Sequence, residues 1–169
     1  MRPFSIIGSQ PAPKTTVIDA GRILRSVGIL TTASSVVKKK EWGIHMKFYL
    51  CEHCKNLVEM VHDSGVVPVC CGQNMTELIP NTTDAANEKH VPVLTVNGAN
   101  VTVNVGSVAH PMMEAHSIQW IVVETCCGVY RTNLKPGDAP EAHFTLRQGE
   151  TVKAAYEYCN LHGLWMSKA

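Results

Sequence analysis

The sequence predicts a mainly β protein in which a small cysteine-bound metal module precedes a β-sandwich. Three observations carry that expectation. Four of the seven cysteines fall between Tyr49 and Met75, as one CxxC pair and one adjacent pair. From Val91 onward, short runs rich in Val, Thr and aromatic residues alternate with Gly, Asn and Pro, the pattern of strands joined by turns. No helical period persists beyond a turn or two.

The module comes first, over residues 46–82. A CxxC turn aims two thiolates, Cys51 and Cys54, at one ion, and Cys70 with Cys71 completes a tetrahedron. The competing reading is a pair of disulfides. An odd cysteine count and the lack of a convincing secretory signal favour reduced thiols held as ligands. Some ~35 residues bury too little apolar surface to be stable alone, so the metal is expected to supply the missing stability. "PNTTDAANEKHVP" then reads as a polar linker, with Glu88 and Lys89 on a loop.

The sandwich is expected over residues 83–169, from the runs "VPVLTVNG", "NVTVNVG", "IQWIVVETCCGVYRTNL", "EAHFTLRQG" and "TVKAAYEYCNLHGLW". Its histidines sit in unusual places. His90 follows the linker, His110 and His116 flank a Pro-containing loop, and "YCNLHG" puts Cys159 three residues from His162. CxxH is a compact chelating turn, like CxxC with one imidazole. A lone loop histidine is usually solvated and a lone cysteine usually a buried apolar thiol. Together, however, four imidazoles and one thiolate exceed what a structural zinc site needs. They offer a five-coordinate centre with an open sixth position, a donor set that suits iron. His45, His53, His62 and His143 read as structural or solvated. Cys126 and Cys127 belong to neither cluster. On a strand they would face opposite sides, one buried and one exposed.

Composition limits the function classes. A chain of 169 residues that is 45% hydrophobic, with a mean hydropathy near zero, is one domain or two small ones. No apolar run approaches the ~20 residues that cross a bilayer. The net charge of +1 is unevenly spread. Residues 1–45 hold seven Lys/Arg against two acids, which leaves eight basic and twelve acidic residues for 46–169. The body, at −4, is a poor nucleic-acid binder. The basic extension resembles a presequence in composition and contains one weakly amphipathic stretch, too little for a helix-turn-helix. The reading favoured here is a translated upstream region. "KKKEWGIHM" back-translates to purine-rich codons of ribosome-binding type, which places the native start at Met46.

Residues 46–169 resemble the desulfoferrodoxins, the two-iron superoxide reductases. "CEHC…CC" is similar to their desulforedoxin-like, rubredoxin-type module. "EKHVP", "GSVAHPMMEAHSIQWI", "LKPGDAPEAHF" and "YCNLHGLW" are similar to their catalytic domain in order and spacing. The resemblance implies an Fe(Cys)4 centre at Cys51, Cys54, Cys70 and Cys71. It also implies an Fe(His)4(Cys) centre at His90, His110, His116, His162 and Cys159, on an immunoglobulin-like sandwich without haem or flavin. The implied reaction is one-electron reduction of superoxide to hydrogen peroxide with no oxygen released. Lys89 would attract the anion, and Glu88 would fill the sixth position after turnover. A cytoplasmic homodimer supplied with electrons by rubredoxin or a similar small donor completes the expectation, with no membrane or nucleic-acid partner. The rival reading is a rubredoxin-like electron carrier with a merely structural β domain. Two features depart from the family pattern, the basic extension and the cysteine pair in "TCCG".

Overall fold

A computed structural model describes residues 46–169. The expectations for residues 1–45, including the translated upstream region and His45, lie outside the described residues. Seven strands form the sandwich. One sheet holds β6 (Pro92–Asn97), β7 (Asn100–Val105) and β10 (Glu141–Thr145), in the antiparallel order β10-β7-β6. The other holds β8 (Ile118–Thr125), β9 (Val129–Asn133), β11 (Val152–Cys159) and β12 (Gly163–Lys168), in the order β12-β11-β8-β9. Between them lies a core of Val101, Val103, Val105, Ile118, Ile121, Val123, Ala142 and Ala155.

The two sheets are buried differently, and their sequences show it. β7 alternates buried and half-exposed residues, as expected of a sheet with one wet face. β8 is buried at every position except Gln119, because its outer face is covered too. The cover is the cysteine module. Its main sheet is β2-β1-β5, from β1 (Lys47–Leu50), β2 (Leu57–Met60) and β5 (Thr76–Glu77). β3 (Val69–Cys70) and β4 (Gln73–Asn74) form a separate hairpin. Side chains alternate along β1, so neighbours serve two cores. Phe48 packs into a cluster with Trp120, Val122, Ala154, Tyr156 and Leu164 on the sandwich, while Tyr49 packs with Cys51 and Met75 inside the module. Phe48 is fully buried and stacks on Trp120 with ring centroids 5.0 Å apart. Arg131 lies over the Trp120 ring and pairs with Glu59 of the module.

This corrects the expectation that metal alone makes up for the module's small core. Burying one Phe contributes about 1.5–3 kcal/mol, and the sandwich provides the socket. The polar linker is also more ordered than its composition indicates. Asn81 accepts from the Met166 amide at 2.9 Å and donates to the Met166 carbonyl at 3.0 Å, which ties the segment to β12. The linker ends in α1 (Asn87–His90), a single helical turn where a loop was expected.

Candidate metal centres

Two turns build the cysteine cluster. Cys51 follows β1, and the chain reverses so that the Lys55 amide donates to the Cys51 carbonyl at 2.8 Å, with Lys55 at φ 61°. Cys70 and Cys71 occupy the β3–β4 hairpin, where Cys71 and Gly72 both have positive φ. The sulfurs of Cys54 and Cys70 are 3.6 Å apart and those of Cys70 and Cys71 3.9 Å. All four lie within 4.8 Å of one another. The amide of Cys54 above all, with that of His53, holds the Cys51 thiol down to about 6, while the neighbouring thiols of Cys54 and Cys70 push Cys71 up to about 12. Four sulfurs this close cannot all ionise without a cation among them. A tetrahedral S4 set suits zinc or iron.

The second cluster is assembled from four segments at one end of the sandwich. α1 brings His90, the loop after β7 brings His110, the residue pair before β8 brings His116, and the β11–β12 turn brings Cys159 and His162. A bulge helps aim them. Tyr158 pairs with Trp120 and Cys159 with Ile118, so Gln119 is the extra residue that turns Ile118 and Cys159 together into the core. The five donor atoms lie within 4.8 Å of one another.

The hydrogen bonds on the far side of the rings decide what faces inward. Nδ1 of His90 donates to the Ala86 carbonyl at 2.8 Å, and Nδ1 of His110 to the Pro111 carbonyl at 2.6 Å. These acceptors assign the proton to Nδ1 and leave each Nε2 with a bare lone pair. The two Nε2 atoms nevertheless sit 3.2 Å apart, and His162 Nδ1 is 2.9 Å from His90 Nε2. Cys159 Sγ lies 3.6 Å from both His110 Nε2 and His162 Nδ1. Nε2 of His116 is buried without any protein partner. Lone pairs converging on one point, one of them orphaned, fit a bound cation. Burial is the main cause that lowers His90, His110 and His116, with His110 down to about 4, so the imidazoles are neutral as ligands must be. Burial pushes the Cys159 thiol up, and its thiolate needs a cation beside it.

Glu88 and Lys89 are exposed on the same helical turn as His90. Lys89 lies close enough for its charge to help lower His116. Three supporting residues escaped sequence reasoning. Gly106, at φ 76°, lets the chain pass against α1, where a Cβ would stand 2.5 Å from the Glu88 carbonyl oxygen. Asn160, inside the CxxH turn, accepts from the Ser117 amide at 2.9 Å and donates to the Ala115 carbonyl at 3.3 Å, which fixes the loop holding His116. Trp165 stacks on His90 at 4.9 Å. Only Gly106, a break in the valine alternation, left a trace a reader could have used. His53, His62 and His143 are exposed and outside both clusters. Cys126 and Cys127 are both exposed, against the expectation that one is buried, because they lie in the β8–β9 turn and not on a strand.

An immunoglobulin-like sandwich with a five-donor His4Cys cluster, joined to a tetrathiolate knuckle, defines a two-centre, non-haem metalloprotein. The family model described as desulfoferrodoxin matches residues 82–168. The desulfoferrodoxins of Syntrophotalea carbinolica and Nitratidesulfovibrio vulgaris are each 50% identical to this chain, over 73% of it and 96% of their own length. Superoxide reductase from Treponema pallidum superposes with a TM-score of 0.62 at 40% identity, covering 73% of this chain and 98% of that one. The chain belongs to the desulfoferrodoxin family. No helix among the described residues is long and apolar enough to cross a membrane.

Proposed function

We propose that this chain is a superoxide reductase with two iron ions, one held by Cys51, Cys54, Cys70 and Cys71, the other by His90, His110, His116, His162 and Cys159. We assign the first to a module over residues 46–82 and the second to a catalytic domain over 83–169. The observation that carries the reading is the set of bare imidazole lone pairs converging beside a buried thiol. When bound, the second iron supplies the electron that, with two protons, turns superoxide into hydrogen peroxide.

The chain's own residues do the rest. Lys89, exposed and close enough for its charge to act on His116, offers a positive charge to an anion approaching a body of net charge −4, and a local cation can raise association against such a field. Its ammonium also orients the water that delivers a proton. Glu88, on the same turn, competes with the product anion for the site and clears it. Cys159 is kept dry, so its negative charge is not dissipated into solvent and acts on the metal at close range. Cys54 and Cys71 leave the first cluster exposed to a donor. A rubredoxin-like protein fits that role, in a cytoplasmic homodimer that detoxifies superoxide.

Metal analysis with product analysis tests this. Two irons per chain, with superoxide consumed and peroxide formed without oxygen, is the expected result. Oxygen released alongside peroxide, or iron confined to the cysteine cluster, would refute it.

A further inference from the structure

Cys126 and Cys127 take no part in either metal cluster, yet they are placed with care. Thr125–Gly128 closes the β8–β9 hairpin, with the Thr125 amide donating to the Gly128 carbonyl at 2.9 Å. The Cys126 amide donates to the Thr151 carbonyl at 2.9 Å, and the Cys127 amide to Thr125 Oγ1 at 3.2 Å. Thr125 is itself braced, because its hydroxyl donates to Glu150, which also accepts from the Tyr130 hydroxyl at 2.6 Å. Both cysteines are exposed, and their sulfurs stand 2.8 Å apart. That is about 0.8 Å longer than an S–S bond.

We propose that Cys126 and Cys127 form a reversible thiol–disulfide pair oxidised by hydrogen peroxide. The inference rests on the function proposed above only for the source of the oxidant. The pair and the His4Cys cluster lie at opposite ends of β8, whose seven residue steps span roughly 23 Å. Peroxide would therefore reach the pair through solvent, and the pair has no role in forming it.

The division of labour between the sulfurs follows from their surroundings. The Cys127 thiol, followed by the Thr151 backbone, stabilises the Cys126 thiolate and lowers its pKa, whereas Cys127 is raised by the same contact. Cys126 is thus the attacking sulfur. It bonds to one peroxide oxygen as the O–O bond breaks, and the departing hydroxide takes a proton to become water. Cys127 then attacks the resulting sulfenic sulfur. The S–S bond forms, the S–O bond breaks, and the second hydroxide leaves as water with the Cys127 proton. Two thiols lose two electrons, and one peroxide becomes two waters.

The product would be labile. Adjacent Cα atoms across a trans peptide are about 3.8 Å apart, shorter than the roughly 4.4–6.8 Å that relaxed disulfides prefer. Strained, exposed disulfides are the readily reduced ones. Attack by a small dithiol on either sulfur would release both cysteines and leave the dithiol as a cyclic disulfide.

The test treats the iron-loaded full chain with reagent peroxide, then maps the tryptic peptide between Lys89 and Arg131, in which Cys126 and Cys127 are the only cysteines. The expected result is loss of two hydrogens from that peptide, reversed by dithiothreitol. A Cys127→Ser chain should stop at a sulfenic acid on Cys126 that a cyclic 1,3-dione traps. The double Cys126→Ser, Cys127→Ser chain should reduce superoxide at the unaltered rate. Two free thiols persisting under excess peroxide, separate sulfinic acids, or a disulfide between two chains would each overturn the proposal. Because the peroxide is added, absence of superoxide reduction would count against the iron-site reading alone.

Discussion

The cysteine cluster is drawn from two tight turns between Cys51 and Cys71, with two of its four ligands, Cys54 and Cys71, exposed. The histidine cluster gathers four separate segments between His90 and His162, and two of its imidazoles, His90 and His110, are set by hydrogen bonds to backbone carbonyls, His90 also by stacking on Trp165. The ligand geometry of the first needs little beyond three left-handed turn residues, Lys55, Cys71 and Gly72, although its module leans on the sandwich through Phe48. The second exists only once the sandwich has closed. A local chelate tolerates damage elsewhere, whereas a non-local one reports on the whole domain.

The sharpest test exchanges one ligand in each cluster. Cys159→Ser replaces a soft, buried thiolate by a weak hard donor. We expect superoxide reduction to fall by at least about 100-fold and the thiolate-to-iron absorption to vanish, while the tetrathiolate spectrum stays. Cys51→Ser should do the reverse, removing the tetrathiolate colour and leaving most superoxide reduction. Equal loss of activity in both variants would show that the first centre is an obligatory relay and that the clusters are not independent.

The same contrast explains what could be read in advance. CxxC and CC are legible because their chelating geometry is set within a few residues, and the β-runs because alternation is local too. His90, His110 and His116 lack such a signal, since their convergence is a property of topology; only their unusual places beside the CxxH turn group them, and the resemblance implies one shared iron. α1 is one turn long and has no period to detect. The burial of β8 on both faces past Gln119 could not be foreseen without knowing that Phe48 would cover its outer face. Cys126 and Cys127 were misplaced because "ETCCGVY" reads as an unbroken strand until the turn hydrogen bond from Thr125 to Gly128 is seen.

A second test strikes the fold-dependent cluster without touching a ligand. Gly106→Ala puts a methyl 2.5 Å from the Glu88 carbonyl and 2.7 Å from Lys89 Cα, at a backbone φ that disfavours alanine. α1 must shift and carry His90 with it. Iron affinity at the histidine cluster should drop by about 10- to 100-fold, the range seen for outer supporting groups, with the cysteine cluster fully loaded. Iron titration read separately at the two absorption bands measures this.

Lys89→Ala is expected to act mainly on encounter, slowing association with superoxide by about 10- to 100-fold at low ionic strength, with the later proton-transfer steps changing less because water can replace the ammonium. The deficit should shrink as salt rises, because screening at 0.15 M already acts over about 8 Å. Pulse radiolysis across a salt series decides it, and a wild-type rate with a wild-type salt slope would remove Lys89 from the mechanism.

The mildest effect should appear in the metal-free protein under acid. Burial, helped by the nearby imidazoles, lowers His110 to about 4, whereas an unfolded histidine titrates near 6.5. The unfolded chain therefore binds more protons between those values. Folding stability from this group is complete above about 6.5, declines as pH falls towards about 4, and levels off below it. Thermal unfolding of the metal-free protein against a His110→Gln chain should show the difference in that window.

The seat of Phe48 also bears on how such proteins can be cut and recombined. Removing residues 46–82 would uncover Trp120, Val122, Tyr156 and Leu164 together, a contiguous apolar face of the kind that drives self-association. A shortened, single-iron version of this chain would not be obtained by deletion alone. It would first need polar side chains along the outer face of β8, β11 and β12, so the history of gaining or losing the small module should be written on the far side of the sandwich from its own core.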